Sequence, residues 1–254
     1  MSRFREQKTR LKTLLAETNW LATLDAMIVG PEAAREVLNP LLALLARPEL
    51  RWQAAYGLGL AVPLMAEEAM ENARVVMRRF MWSLNEESGN IGWGIPEAMA
   101  CILANSPPLS REYSRIFFSY GYETGKEDNF IDHAPLRRGV YWGMGRIAQS
   151  DPATASAALL HLAAALGDED RPIRGYAAWA LAQLAKGGDG GEESADSEAW
   201  QQARQALAGA AAGESAPDER IELFDGKAVV MAPLRTLYRD ALQASAVPAG
   251  IQNA

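Results

Sequence analysis

The side chains able to do chemistry are few, and their types restrict what that chemistry can be. Two histidines, His133 and His161, and a single cysteine, Cys101, occur in 254 residues. Neither a disulfide framework nor a thiolate zinc site can therefore be assembled within one chain. Asp132 and His133 with Glu97 and Glu123 are the set from which a carboxylate–histidine metal site could be drawn. Asp132 also stands where the helix that follows needs an N-cap, and no metal is assigned. Ser88, in Glu-Ser-Gly-Asn, has no identifiable base. Gly57 and Gly59, like Gly139, Gly143 and Gly145, fall inside helical runs, as packing glycines rather than a phosphate-binding loop. No catalytic residue and no cofactor follow from these residues. Aromatic, cationic and acidic side chains remain, and they suit binding: Trp93, Glu97, Arg138 and Trp142, with Glu86, Glu123, Asp132 and His133.

The elements that must carry these residues are helices. Ala and Leu dominate the apolar content and β-branched residues are scarce, which favours helix over sheet. The formal charge of -7 is uneven, because residues 187–198 hold five acids and no base, and without them the remainder stands at -2. Residues 1–12 run the other way, with Arg3, Arg5, Lys8, Arg10 and Lys12 against Glu6. The repeats are not rich in Lys, and because phosphate contacts dominate DNA affinity a nucleic-acid partner is not expected. No window approaches the roughly 18 apolar residues of a membrane helix and the start has no apolar signal core, so a cytoplasmic protein without a membrane partner is expected.

Four segments align: ELRWQAAYGLGLA from Glu49, NIGWGIPEAMACI from Asn90, PLRRGVYWGMGRI from Pro135 and PIRGYAAWALAQL from Pro172. Leu50, Ile91, Leu136 and Ile173 share a column, separated by 41, 45 and 37 residues, the length of a two-helix unit. Within a segment the spacing is helical, as in Leu136, Val140, Gly143 and Ile147. Small residues at Gly57, Ala98, Gly143 and Ala180 allow close helix approach. Partner helices are expected at about 32–46, 67–83, 110–122 and 152–166, started by Pro31, Ser110 and Asp151-Pro152. The core should include Leu50, Ile95, Leu136, Val140, Ile173 and Leu184.

Beyond the repeats, GGDGGEESADSE at 187–198 reads as a flexible acidic linker. A helix over about 198–213 follows. Asp225-Gly226 then sits between two short strand signals, a hairpin that needs support from the last helix, about 232–244. The expected organisation is an N-terminal helical extension (1–30), four helix pairs (31–186), the linker (187–198) and a C-terminal helix, β-hairpin and helix (199–254).

The second helix of each pair opens with an apolar residue, Arg and a small-residue-rich run, in Leu50-Arg51, Leu136-Arg137 and Ile173-Arg174, with Ile91-Gly92 departing from it. In this the chain resembles HEAT-like repeats of the phycobilisome-lyase type over about residues 31–186. The resemblance implies an all-α fold, a right-handed α-α superhelix or HEAT-like solenoid of armadillo type, here with a small C-terminal hairpin-helix appendage. It also implies that the second helices line an inner, concave wall. Equivalent positions would then form two rows: Trp52, Trp93, Arg138 and Gly175, and one turn later Tyr56, Glu97, Trp142 and Trp179.

Two connections exceed what a helix pair requires, Asn85–Gly92 and Glu123–His133, and both should lie at one edge, beside helix N-termini that attract anions. Arg138 would pair with an anionic group there, Glu97 would orient a donor, and the indoles of Trp93 and Trp142 would offer flat contact, with Glu86, Glu123, Asp132 and His133 as an outer ring. Arg51, Arg137 and Arg174 read as structural, tying repeats together through neighbouring acids. A non-enzymatic binding scaffold for a protein, peptide or small anionic ligand is the leading expectation. An enzyme acting on a bilin or another conjugated cofactor is the alternative. A HEAT-like DNA glycosylase, which would pair Trp93 with Glu97, is the third.

Overall fold

The computed structural model describes residues 3–85, 91–123, 129–187, 197–213 and 219–246. Two compact units make up the chain, Met1–Gly143 and Met144–Ala254. Among the described residues of 31–186 every regular element is helical.

In the first unit α1 (Arg3–Leu15) and α2 (Trp20–Met27) precede the helix pairs. The pairs are α3 (Gly30–Leu42) with α4 (Arg51–Glu68), α5 (Met70–Leu84) with α6 (Ile95–Asn105), and α7 (Pro107–Ser119) with α8 (Ala134–Ala148), the last of which carries the boundary between the units. The first helix of each pair buries a single stripe: Ala34, Val37 and Leu41 in α3, and Ala73, Val76, Met77 and Phe80 in α5. That is the pattern of a helix covered on one side. The second helices are apolar nearly all round, and every residue of α6 from Ile95 to Ala104 is buried. Each fully buried Val, Leu or Ile contributes about 1.5–3 kcal/mol of apolar transfer, so these second helices hold much of the unit's stability.

Glycine sets the spacing of the packed helices. A Cβ on Gly59 of α4 would come within 2.6 Å of Cys101 Cβ in α6, and one on Gly143 within 2.5 Å of Phe117 and 2.7 Å of Ala100. The close approaches expected at Gly57 and Gly143 are present, and Cys101 is a buried, free thiol.

The starts of the helices show where the aligned column fails. Leu50, Leu136 and Ile173 are buried, as are Ile95, Val140 and Leu184, but Ile91 is 42% exposed. Gly94 takes a left-handed φ of +75° and Pro96 stands at the second position of α6, so this helix begins four residues after Ile91. Pro107 and Pro108 likewise start α7 ahead of Ser110, which lies inside the helix and bonds Ser114 Oγ at 3.0 Å.

The second unit holds α9 (Pro152–Ala155), a 3-10 turn (Ser156–Ala158), α10 (Leu159–Ala165), α11 (Arg171–Gly187), α12 (Glu198–Gly213), β1 (Arg220–Phe224), β2 (Val229–Pro233) and α13 (Leu234–Ser245). Asp151 caps α9 by accepting from the Thr154 amide at 3.0 Å, as Asp170 does for Ile173 at 3.1 Å. The strands pair antiparallel, with Phe224 opposite Val229, around a turn in which the Asp225 carboxylate accepts from the amides of Lys227 and Ala228 and Gly226 has φ +99°. Ile221 and Leu234 pack over Gly175 of α11, and the Tyr176 hydroxyl donates to the Glu222 carbonyl. The hairpin thus rests on α11, as its marginal stability requires. The Gly175 end of the first aligned row is thereby covered. Residues 188–196 of the acidic run lie outside the described residues; Gly187 closes α11 and Glu198 opens α12.

Candidate functional site: the polar edge at the start of α6

Three second helices of the first unit bring their N-terminal turns to one place. Arg51 is the first residue of α4, Glu97 the third of α6 and Gly139 the sixth of α8. Arg51 Nε lies 3.4 Å from Glu97 Oε1, with the Glu97 side chain 7% exposed and that of Arg51 23%. The carboxylate occupies space that only glycine leaves open, since a Cβ on Gly139 would come within 2.7 Å of its Cδ and Oε2. Gly94 performs the same service for Arg51, whose Cγ would be 3.1 Å from a Cβ there. The Arg51 guanidinium lies 5.1 Å from the Trp52 ring centroid, and Trp52 meets Trp142 edge to face at 4.8 Å. A carboxylate in the first turn of α6 is favourably placed against the helix dipole, and the Arg51 charge balances it where water is scarce.

This ion pair matches the role expected for Arg51, joining one repeat to an acid of the next. Arg137 acts differently. Its guanidinium donates to the carbonyls of Ile131 and Asp132, at 2.8 and 3.0 Å, and lies 4.9 Å from the Phe130 ring centroid. It holds the segment that leads into α8. The Tyr141 hydroxyl secures the other end of that connection by donating to the Gly121 carbonyl at 2.9 Å.

The expected binding residues separate into groups. Trp142 is fully buried and Glu97 is 5% exposed, so both belong to the core beneath the edge and offer no free face to a ligand. Trp52 is buried with them. Trp93 is half-buried and lies in the turn before α6 rather than on the helix, because the left-handed Gly94 intervenes. The helical relation between Trp93 and Glu97 on which a glycosylase-like pair depended is therefore not formed. Trp93 instead meets His133, ring centroids 5.4 Å apart and planes at 74°. Arg138 is half-buried next to Gly139, while Glu123, Asp132 and His133 are exposed. Glu86 lies outside the described residues. His133, not Asp132, precedes the first turn of α8, its carbonyl accepting from the amides of Leu136 and Arg137. Among the described residues no three His, Cys, Asp or Glu side chains gather as metal ligands, so Asp132, His133, Glu97 and Glu123 do not form that set.

Chemically, the edge offers a half-buried guanidinium, an indole meeting an imidazole edge to face and two exposed carboxylates, beside three helix N-termini. The sequence pointed to most of these residues; it gave no sign of the room that Gly139 makes for Glu97, because that contact joins residues 42 positions apart.

A family model described as HEAT-like repeat matches residues 134–184, which span α8 to α11. No match was found among curated proteins. Among solved structures, a designed armadillo repeat protein in complex with the peptide (KR)4 is similar at TM-score 0.52 and 16% identity, covering 93% of this chain and 98% of that one. An engineered protein is similar at TM-score 0.50 and 15% identity, covering 96% and 97%. The helix pairs are thus those of a HEAT/armadillo repeat fold. No helix among the described residues is long and apolar enough to cross a membrane.

Proposed function

We propose that this protein is a non-enzymatic binding scaffold that holds a protein segment, peptide or small anionic ligand at the polar edge of its first unit. The observation that carries the reading is the difference in burial between Glu97, 5% exposed, and the half-buried Arg138. The carboxylate is buried and balanced by Arg51, whereas Arg138, one residue before the glycine that houses Glu97, is half-buried on α8. A half-buried guanidinium near helix N-termini suits a carboxylate or phosphate, and the half-buried Trp93 indole would meet a flat or apolar group attached to it. HEAT and armadillo arrays serve as scaffolds and adaptors, and the designed armadillo neighbour is itself a peptide complex. That likeness supports peptide binding as a class. The phycobilisome-lyase type remains a resemblance in the opening residues of the second helices.

The test is a thermal-shift screen of the full chain against short acidic and basic peptides, phosphate esters and tetrapyrroles, followed by titration of any hit with Arg138→Gln and Trp93→Ala. The scaffold reading expects a hit whose affinity falls at least tenfold in both variants. A hit that is turned over, with product released, would replace it with an enzymatic one.

A further inference from the structure

A second surface of the first unit lies on α1, α3 and α5, and none of its residues takes part in the polar edge. Two adjoining hollows of about 440 and 390 Å³ open there and share Phe4 and Asn39, so they form one groove. Near α5 its walls are Phe4, Leu42 and Ala43, with Asn39 and Arg79 as the polar groups. This size suits an apolar side chain with a few directing polar contacts.

The groove runs into an exposed helical stripe. Val75, Arg78, Arg79 and Trp82 follow i, i+3, i+4, i+7 along α5, opposite the buried stripe of Ala73, Val76, Met77 and Phe80. Val75 is 53% exposed, Trp82 71% and Phe4 44%. Trp and Arg are the side chains most enriched at the energetic centres of interfaces, and clustered exposed apolar groups mark such surfaces.

Charge selects the occupant. The helices α5 and α7 carry Arg74, Arg78, Arg79, Arg111 and Arg115 against Glu71 and Glu112, a local +3 on a chain whose net charge is -7. The other arginines of the groove and stripe are already engaged: Arg3 with Glu36, Arg35 with Glu68, Arg74 with Glu112 through two bonds, and Arg78 with Glu71. Arg79 has no ion pair among the described residues. A nucleic acid or anionic membrane would call on a row of uncompensated cations along the contact, whereas among the described residues that line the groove and stripe only Arg79 stands outside an ion pair, Arg111 and Arg115 belonging to α7 and not to the lining. We infer that the α1–α3–α5 groove docks an acidic peptide segment of a partner protein. A carboxylate of that segment pairs with Arg79, an apolar side chain enters against Phe4, Leu42 and Ala43, a second packs on Trp82, and the Asn39 amide bonds the peptide backbone.

The probe is a fluorescently labelled peptide of repeated Glu-Leu-Phe-Glu units, titrated by anisotropy into the full chain. Saturable binding is expected, weakened at least tenfold by Arg79→Glu and by Trp82→Ala. Arg79 and Trp82 are exposed, so circular dichroism and Tm of both variants should match the parent, and the emission lost in Trp82→Phe should shift to shorter wavelength when peptide binds. Absence of binding, binding unaffected in both variants, or a preference for single-stranded DNA or anionic vesicles sensitive to the same substitutions would each overturn the inference.

Discussion

Arg51 Nε stands 3.4 Å from Glu97 Oε1 and joins the first residue of α4 to the first turn of α6. Because Glu97 is buried there, the pair matters more for what its loss leaves behind than for its own attraction. Glu97→Gln, which leaves the Arg51 charge uncompensated, is expected to cost about 3 kcal/mol, the low end for a broken buried pair because the Arg51 side chain keeps 23% exposure. The double variant Arg51→Met/Glu97→Leu should recover most of that loss. Denaturant titration of the three proteins decides the matter, and a Glu97→Gln protein as stable as the parent would contradict a structural role.

Gly139 should tolerate no side chain. In Gly139→Ala the new Cβ would meet the Glu97 carboxylate at 2.7 Å, and we expect a loss of about 1–3 kcal/mol from the forced displacement. The loss should shrink in a Glu97→Ala background, since the two sites touch and must couple. Equal losses in both backgrounds would show that the space is not shared.

The two indoles should part company. Trp142 is fully buried against Trp52, so Trp142→Ala is expected to cost about 3–5 kcal/mol. Trp93 is half-buried in a turn, and Trp93→Ala should cost about 1 kcal/mol or less while changing ligand affinity. Thermal denaturation separates the pair.

Tyr120 supplies a pH signature. Burial pushes its hydroxyl up to about 12, because the phenolate would be desolvated. The neutral phenol's contribution is complete below its ordinary value of 10.0 and is lost as pH rises toward about 12. Burial also raises Tyr113 and Tyr122, so spectrophotometric titration should show several tyrosines ionising late, with Tyr120→Phe removing the part near about 12. Ionisation of all tyrosines in one ordinary transition would contradict the burial.

Much of the architecture was legible because it is local. Leu136, Val140 and Ile147 repeat at helical spacing, Asp151-Pro152 starts a helix by side-chain capping, and Asp225-Gly226 makes a turn whichever fold surrounds it. Expectation and structure differ where a backbone device moves a boundary: the left-handed Gly94 and Pro96 delay α6 past Ile91, which removes Trp93 from the helix and leaves Ile91 exposed. At the site, residue types suggested an accessible aromatic wall, but whether an indole faces solvent depends on partners far along the chain. Trp142 is enclosed by Trp52, and Glu97 is met by Arg51, 90 and 46 residues earlier. Arg138 and Trp93 stay half-buried.

The central claim is that Arg138 is a binding side chain and Glu97 a structural one. Its most direct measurement is the affinity of the strongest thermal-shift ligand for the folded fraction of Arg138→Gln and Glu97→Gln, alongside the Tm of each. At about 100 times its Kd such a ligand should stabilise the parent by about 2.7 kcal/mol. The account predicts that Arg138→Gln keeps the parental Tm and binds at least tenfold more weakly, about 1.4 kcal/mol, while Glu97→Gln melts earlier and binds normally once folded. Parental affinity in Arg138→Gln, with its Tm lowered as far as that of Glu97→Gln, would contradict it and return Arg138 to the core.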